Sequence, residues 1–191
     1  MLKKVLRSSY KRRRKAISSE YLTDGSLAIA NAVLKLPIWQ FDYFHLFLPI
    51  SRQNEIDTRY ILSMLQGRNK YVLIPKVMDD GGLKQYLLTD ATKFRMNAWH
   101  IPEPVAGIEI ATEKIDVVFV PLLAFDLKGN RVGYGKGFYD TFLRNCRKDV
   151  LKIGLSLFEA ETSIDDIEPH DVPLNYCVTP NKTYSFSVRE T

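Results

Sequence analysis

The sequence predicts an α/β protein with a mainly parallel sheet and helices on both of its faces. Two observations predict this fold class. Segments with helical spacing alternate along the chain with short apolar segments, and that alternation favours a parallel sheet. Two of the short segments, Ile115–Val120 and Leu151–Leu157, have the apolar character of strands buried on both faces. A chain of 191 residues is expected to form a single domain, residues 1–191.

The first segment, Leu2–Ile17, is predicted to be a helix because it contains helix formers and neither glycine nor proline. Its buried face is expected to consist of the apolar residues at helical spacing: Leu2, Val5, Leu6, Tyr10 and Ile17. Basic residues that step by three or four positions are expected to form a neighbouring cationic face: Lys3, Arg7, Lys11 and Arg14.

The remaining elements alternate in type. Further helices are predicted at Leu27–Leu36, Ile56–Gln66 and Lys136–Cys146. Further strands are predicted from apolar, aromatic and branched residues at Tyr43–Ile50, Tyr71–Ile74 and Leu83–Leu88. Residues 91–112 are expected to be irregular because Pro102 and Pro104 interrupt regular structure. Ligands usually bind beyond the carboxyl ends of parallel strands, so a site is expected after Val120.

The positive charge is concentrated at the amino terminus. The chain carries 27 Lys and Arg against 22 Asp and Glu, for a net charge of +5, and eight of the basic residues lie within residues 1–19. The rest of the chain carries 19 basic and 22 acidic residues, a net charge of −3. A local basic stripe on a mildly acidic body suits a small anionic ligand, such as a triphosphate, as well as it suits a polyanion.

The apolar segments do not predict a membrane protein. The longest apolar stretch, Val117–Phe125, has nine residues and contains a proline, which is too short to span a bilayer. The basic amino terminus lacks the apolar core and the cleavage site of a signal peptide, so a cytoplasmic protein is expected. Cys146 and Cys177 lie at no metal-binding or redox spacing and are expected to be buried thiols.

A glycine-rich loop carries the main functional signal. Gly133, Gly135 and Gly137 alternate directly before the helix predicted at Lys136–Cys146. Glycine allows close approach of a ligand to the main chain, and amides at a helix amino terminus bind anions. Lys136 adds a cation for phosphate, and Asp140 lies one turn into the helix, where a carboxylate can hold Mg²⁺. The pattern is neither a Walker A loop nor a Rossmann fingerprint, and by itself it is also compatible with a surface turn.

Residues 121–140, PLLAFDLKGNRVGYGKGFYD, resemble the signature of the 5-formyltetrahydrofolate cyclo-ligase family. Other segments of the chain add to the resemblance in the same order as in that family: Lys3–Arg7, Asn54–Thr58, Ile74–Lys76, Trp99–Pro104 and Glu168–Asp171. The resemblance implies an α/β fold and a reaction that consumes ATP with Mg²⁺. In that reaction 5-formyltetrahydrofolate closes to 5,10-methenyltetrahydrofolate, with phosphoryl transfer to the formyl oxygen and release of ADP and phosphate.

The same resemblance implies a role for individual residues. ATP is expected to contact Lys3, Lys4, Arg7, Arg131, Val132, Gly133, Tyr134, Gly135, Lys136, Gly137, Phe138 and Tyr139. The folate is expected to contact Ile50, Glu55, Trp99 and Phe125. Asp140 and Asp171 match the magnesium positions, and catalytic roles are expected for Lys136, Tyr134 and Asp140.

Several structural readings compete with these roles. Glu55 could compensate the charge of a helix amino terminus, Trp99 could be a core residue, and His170 is interpreted as a hydrogen-bonded loop histidine. His45 and His100 have no partner that the sequence identifies. At the level of function, the alternatives are a nucleic-acid-binding module that uses the basic stripe and another ATP-dependent enzyme acting on a small acid. The preferred interpretation expects small-molecule substrates, no nucleic-acid or membrane partner, and a monomer.

Overall fold

The computed structural model describes residues 1–97 and 102–186, and it confirms the predicted α/β architecture. The α-helices within these residues are α1 (Lys3–Ala16), α2 (Ser19–Val33), α3 (Arg59–Gly67) and α4 (Phe138–Asn145). The strands are β1 (Tyr43–His45), β2 (Tyr71–Val77), β3 (Leu83–Leu87), β4 (Lys93–Met96), β5 (Pro102–Ala106), β6 (Glu109–Ile110), β7 (Val117–Pro121), β8 (Ala124–Phe125), β9 (Arg131–Val132), β10 (Leu151–Leu155), β11 (Tyr176–Val178) and β12 (Thr183–Ser185). Short 3₁₀ helices lie at Ser51–Gln53 and Thr112–Lys114.

The central sheet has eight strands in the order β12-β11-β10-β7-β1-β2-β3-β6. Its middle is parallel, because β11, β10, β7, β1 and β2 pair in parallel with one another in that order. Antiparallel strands β12, β3 and β6 close the two edges. The carboxyl ends of the parallel strands therefore meet at one side of the sheet, where ligands of such folds usually bind.

Helices cover both faces of the sheet, as predicted. Successive residues of a strand point to opposite faces, and β7 shows this directly. Val117 and Phe119 belong to the apolar cluster that contains buried residues of α2 and α3, whereas Val118 and Val120 belong to the cluster that contains Phe142 of α4. These four side chains are fully buried. Burial of each side chain contributes roughly 1.5 to 3 kcal/mol of transfer free energy. Because both faces of the strand are covered, apolar residues are favoured at successive positions, and the sequence shows an uninterrupted apolar segment.

The buried face of α1 differs from the predicted one. It consists of Leu6, Tyr10 and Arg14, which are spaced four residues apart, and it packs on β8 and β9. Leu2 and Val5 are 52% and 50% exposed, so their predicted burial is wrong. Leu2 precedes the first helical turn in an extended conformation, and Val5 lies about 100° around the helix from Leu6. The expected grouping of Arg14 with Lys3, Arg7 and Lys11 on one cationic face is wrong, because Arg14 continues the buried row of Leu6 and Tyr10.

The start of α2 and the end of β1 differ most from the predicted boundaries. Helix α2 begins at Ser19, eight residues before the predicted start at Leu27, and the Ser18 hydroxyl caps it by accepting a hydrogen bond from the Tyr21 amide at 3.1 Å. Gly25 lies inside this helix, and close packing explains the glycine: a β-carbon at this position would come within 2.9 Å of Leu157. Strand β1 ends at His45, five residues before the predicted end at Ile50.

The region predicted to be irregular contains an antiparallel ribbon. Strands β4 and β5 pair, with Pro104 opposite Phe94 and Pro102 opposite Met96. Proline lacks an amide donor but is tolerated where a strand has a free edge, which explains why it does not exclude a two-stranded ribbon. Within residues 1–97 and 102–186, no helix combines the length and the apolar character needed to cross a bilayer.

Candidate active site

A cleft with a cavity volume of about 370 Å³ opens at the carboxyl ends of the parallel strands. Residue Pro121 at the end of β7 lies at its base, and the glycine-rich loop 131–140 forms one wall. Helix α1 contributes Lys3, Arg7 and Lys11, and residues within 47–55 contribute a further wall. The volume lies within the usual range for small-molecule sites. The expected position after Val120 is thus the position of the cleft.

Backbone geometry explains two of the three glycines in the loop. Gly135 and Gly137 have φ angles of +91° and +73°, a region that other residues rarely adopt. Gly137 is also the residue that precedes the first turn of α4, so the loop leads directly into the positive end of that helix. Arg7 lies close to the loop, because its Nε donates a hydrogen bond to Gly133 O at 2.9 Å. A β-carbon on Gly135 would lie only 3.2 Å from the same nitrogen. Arg7 therefore fastens α1 to the loop.

The cations of the cleft lie near the loop. Lys3, Arg7, Arg131 and Lys136 all line the cavity, as do residues 132–139. Lys4 does not line it, because this residue is exposed on another side of α1. The structure therefore brings together all the expected ATP-contacting residues apart from Lys4.

Asp140 and Asp171 lie on the same wall, each held by a cation. Asp140 Oδ1 accepts a hydrogen bond from Arg131 Nη2 at 2.6 Å and one from the Val172 amide at 3.3 Å. Asp171 Oδ2 accepts from Lys3 Nζ and, at 2.7 Å, from the Glu168 amide. Burial by itself would raise the pKa of Asp171, but the Glu168 amide and the Lys3 ammonium outweigh it, and the pKa lies below its usual value.

The donor set of this wall fits a hard divalent cation. Carboxylate oxygens are the ligands that Mg²⁺ prefers, and Asp171 lies in a group with Glu168 and His170 whose potential ligand atoms are all within 4.8 Å of one another. His170 Nε2 lies 3.1 Å from a Glu168 carboxylate oxygen, in agreement with its interpretation as a hydrogen-bonded loop histidine.

Glu55 is the centre of a buried polar cluster on the wall formed by residues within 47–55. Its Oε1 accepts a hydrogen bond from the Tyr134 hydroxyl at 2.5 Å, and its Oε2 accepts one from the Ile50 amide at 2.8 Å. Arg14 Nη1 lies 3.7 Å from Oε1 and donates to the Tyr134 hydroxyl at 2.7 Å. Burial raises the pKa of Glu55, while Arg14, Tyr134 and the Ile50 amide oppose that rise. Helix α3 begins only at Arg59, so Glu55 does not compensate a helix amino terminus.

A short turn brings Glu55 to the cleft. The 3₁₀ helix Ser51–Gln53 ends at Asn54, which adopts a left-handed conformation with φ of 47°. Asparagine is among the residues that tolerate this conformation. Its side-chain amide donates to Arg14 O at 2.9 Å, which ties the turn to the end of α1. The same turn places Ile50 in the lining of the cleft.

His45 has two partners that the sequence does not reveal. Its Nδ1 lies 2.7 Å from Gln85 Oε1, and its Nε2 lies 2.9 Å from the hydroxyl of Tyr139 in the glycine-rich loop. Burial lowers the pKa of His45 to about 4, with the hydrogen bond to Gln85 opposing the shift, so the ring is neutral at pH 7. Nδ1 therefore carries the proton, and Nε2 accepts from Tyr139. The one local signal is a histidine inside an apolar strand, and its partners are distant in sequence.

Two expected folate contacts lie elsewhere or outside the described residues. Phe125 is fully buried in the core on the α4 side, where its ring packs edge-on against Tyr184 at 5.0 Å between centroids. The expectation that Phe125 lines the folate site is therefore wrong: β8 directs this side chain into the core. Trp99 lies outside the described residues, as does His100.

Comparisons with known proteins identify relatives of this chain. The model of the 5-formyltetrahydrofolate cyclo-ligase family matches residues 1–180. The 5-formyltetrahydrofolate cyclo-ligase of Mus musculus is 30% identical over 152 residues, covering 75% of this chain and 74% of the mouse protein. The enzyme of the same name from Haemophilus influenzae is 34% identical over 134 residues, covering 66% and 71%. The NMR structure of Aquifex aeolicus 5,10-methenyltetrahydrofolate synthetase has a TM-score of 0.85 at 27% identity and covers 100% of this chain and 96% of that one. This chain belongs to the 5-formyltetrahydrofolate cyclo-ligase family, a family of ligases.

Proposed function

We propose that this protein converts 5-formyltetrahydrofolate to 5,10-methenyltetrahydrofolate, using ATP and Mg²⁺ and releasing ADP and phosphate. Membership of the family supports the reaction, and one feature of the cleft supports it further. The hydroxyl of Tyr134 in the glycine-rich loop donates a hydrogen bond to Glu55, so the wall suited to phosphates directly adjoins the wall suited to a folate. An enzyme that transfers a phosphoryl group between two ligands needs this adjacency.

The loop side of the cleft is proposed to hold ATP. Gly135 and Gly137 let the phosphates approach the main chain, and the amino terminus of α4 adds its positive end. Arg7 and Lys136 supply positive charge near the phosphates, and Lys3 lies on the same wall. Phosphoryl transfer depends on such positioning and charge neutralisation more than on covalent chemistry from the protein.

Asp140 and Asp171 are the proposed holders of Mg²⁺. Both are carboxylates that line the cleft on the side of the glycine-rich loop. When bound, the ion would neutralise phosphate charge. Arg131 donates a hydrogen bond to Asp140, and Lys3 donates one to Asp171. Exchange of the Lys3 contact for a metal contact would free the ammonium group of Lys3 for a phosphate oxygen.

Glu55 is proposed to bind the folate. Ionised carboxylate oxygens offer about four acceptor positions, and Tyr134 and Ile50 occupy one on each oxygen. The remaining positions suit a ring that presents paired N–H donors, as the pterin does. Ile50 adds apolar contact in the lining. In the proposed reaction the γ-phosphoryl group moves to the formyl oxygen, N10 attacks the formyl carbon, and the oxygen leaves with phosphate.

The nucleic-acid alternative loses support from the contacts of the basic stripe. Lys3 pairs with Asp171, Arg7 with the glycine-rich loop, and Arg14 with Tyr134 in the interior. These three cations face the cleft or the core, where they suit a small anionic ligand, whereas the other five basic residues of the stripe are exposed. The single-domain organisation, the monomeric state and the cytoplasmic location stay predictions.

The proposal is tested by mixing purified protein with 5-formyltetrahydrofolate, ATP and Mg²⁺ and following methenyltetrahydrofolate by absorbance. We expect product only when all three are present, with ADP formed in equal amount. Omission of Mg²⁺ and omission of ATP are the matched controls. Folded protein that forms no methenyltetrahydrofolate in the complete mixture would refute the proposed function, and ATP hydrolysis triggered by a non-folate acid would favour the other ATP-dependent enzyme.

A further inference from the structure

Arg14 is a buried cation close to the cleft without being part of its lining. Its side chain is 4% exposed, and it donates to Leu122 O and to the Tyr134 hydroxyl. Its Nε has no hydrogen-bond partner among the described residues. A buried charge with an unsatisfied donor is costly, and a buried ion pair is weak evidence of a stabilising role. The contacts of Arg14 therefore need a different explanation.

The contacts of Arg14 fix the direction of a hydroxyl proton. A guanidinium group donates hydrogen bonds and accepts none, so the Tyr134 oxygen accepts from Arg14 Nη1 at 2.7 Å. The single hydroxyl proton of Tyr134 is then left for Glu55 Oε1, which lies 2.5 Å away. Arg14 thus directs the hydroxyl hydrogen of Tyr134 towards Glu55. As a result, one acceptor position on Glu55 Oε1 is occupied by Tyr134.

The charge of Arg14 also acts on Glu55. The Glu55 side chain is 4% exposed, and burial favours its neutral form. The ionisable groups that face it are Arg14 from α1, Tyr134 from the glycine-rich loop and Tyr139 at the start of α4. Burial raises the pKa of both tyrosines, so they stay neutral. Among these groups Arg14 alone carries a positive charge.

We propose that Arg14 is a positioning residue for the folate, which acts by orienting the Tyr134 hydroxyl and by supplying the counter-charge to Glu55. This inference rests on the proposed function, because it assigns to Glu55 the recognition of the folate. A protonated Glu55 would carry a donor where the folate also presents donors, so loss of the counter-charge weakens folate binding without removing a folate contact.

The test compares Arg14→Gln, Arg14→Lys and the wild type by their KM for folate and for ATP from about pH 6 to about pH 9. Arg14→Gln is expected to raise the folate KM about tenfold near neutral pH and to recover as the pH rises, because Glu55 ionises only at higher pH. Its ATP KM is expected to change less than about twofold. Arg14→Lys retains a cationic group and is expected to keep a pH profile closer to that of the wild type than Arg14→Gln does.

Arg12→Gln is the matched control, since Arg12 is an exposed arginine on the same helix. It is expected to leave both KM values unchanged at every pH. A folate KM that rises by the same factor across the pH range, or a rise confined to ATP, would overturn the inference. If Arg14→Gln does not fold, Tyr134→Phe tests the inference instead, because it removes the hydroxyl that Arg14 orients. An unchanged folate KM in this variant would contradict the proposed role of Arg14.

The outcomes separate this inference from the proposed function. A folded wild-type protein without turnover refutes the proposed function. A wild type that turns over, together with an Arg14→Gln variant of unchanged folate KM and unchanged pH profile, refutes the inference about Arg14 alone.

Discussion

Acidification is expected to destabilise the protein through His45. This ring is fully buried, and burial lowers its pKa from 6.5 to about 4. In the unfolded chain the imidazole takes up a proton near pH 6.5, whereas in the folded protein it stays neutral until about pH 4. The stabilisation is therefore complete above pH 6.5 and is lost as the pH falls towards 4.

The size of the effect follows from the difference between the two pKa values. One pKa unit corresponds to about 1.4 kcal/mol, so the interval from 6.5 to about 4 corresponds to about 3 kcal/mol of unfolding free energy. A loss of this size is a large part of the stability of a typical domain. Carboxylates also titrate in this pH range. The contribution of His45 is therefore isolated by comparing the wild type with a variant that lacks this histidine.

The assay is urea unfolding at several pH values for the wild type and His45→Gln. The wild type is expected to lose about 3 kcal/mol more than the variant between pH 6.5 and about 4. His170→Gln is the matched control, because His170 is exposed and its removal is expected to leave the difference in place. Equal pH dependence in the wild type and His45→Gln would refute the reasoning that burial keeps His45 neutral.

Three further substitutions test the site. Gly135→Ala forces a residue with a β-carbon to a φ of +91° and is expected to raise the ATP KM about tenfold, whereas Gly67→Ala, where a β-carbon meets no atom within 4 Å, is expected to leave it unchanged. Phe125→Leu is expected to cost about 1 to 3 kcal/mol in urea unfolding without a change in folate KM, because Phe125 is a core residue. Asp140→Asn is expected to lower turnover at saturating substrates at least about tenfold and to weaken the dependence of activity on Mg²⁺.

Each of these expectations has a clear contrary result. An ATP KM of Gly135→Ala equal to that of the wild type would show that the loop backbone does not approach the nucleotide. A raised folate KM in folded Phe125→Leu would return this residue to the folate site. Wild-type turnover and an unchanged Mg²⁺ titration in Asp140→Asn would remove Asp140 from the magnesium site.

Local patterns predicted the parts of the structure that local physics determines. Val117–Pro121 is apolar on both faces because helices cover both faces of the sheet, so its position as a central parallel strand is visible in the sequence. The glycine-rich loop is visible for a similar reason, since Gly135 and Gly137 adopt backbone conformations that few other residues tolerate.

Distant contacts explain what the sequence did not predict. Arg14 and Tyr134 are 120 positions apart, and His45 and Tyr139 are 94 positions apart, so neither pair produces a local pattern. The position of Arg14 fits the spacing of the predicted cationic face and also the spacing of the buried row of Leu6 and Tyr10. Only the packing of α1 on β8 and β9 decides between the two. The folate contact was predicted for Phe125 from the signature that contains it. That signature does not indicate which face of β8 its side chain occupies.

The central claim is that one cleft holds ATP on the glycine-rich loop and the folate at Glu55. The most direct measurement is the KM for each substrate in Glu55→Gln, which removes the charge of the carboxylate and retains its shape. Hydrogen bonds to a charged group contribute roughly 1.5 to 3 kcal/mol, so we predict a folate KM raised at least about tenfold and an ATP KM within about twofold of the wild type. A variant that lost ATP affinity and kept its folate affinity would contradict the assignment of the two walls.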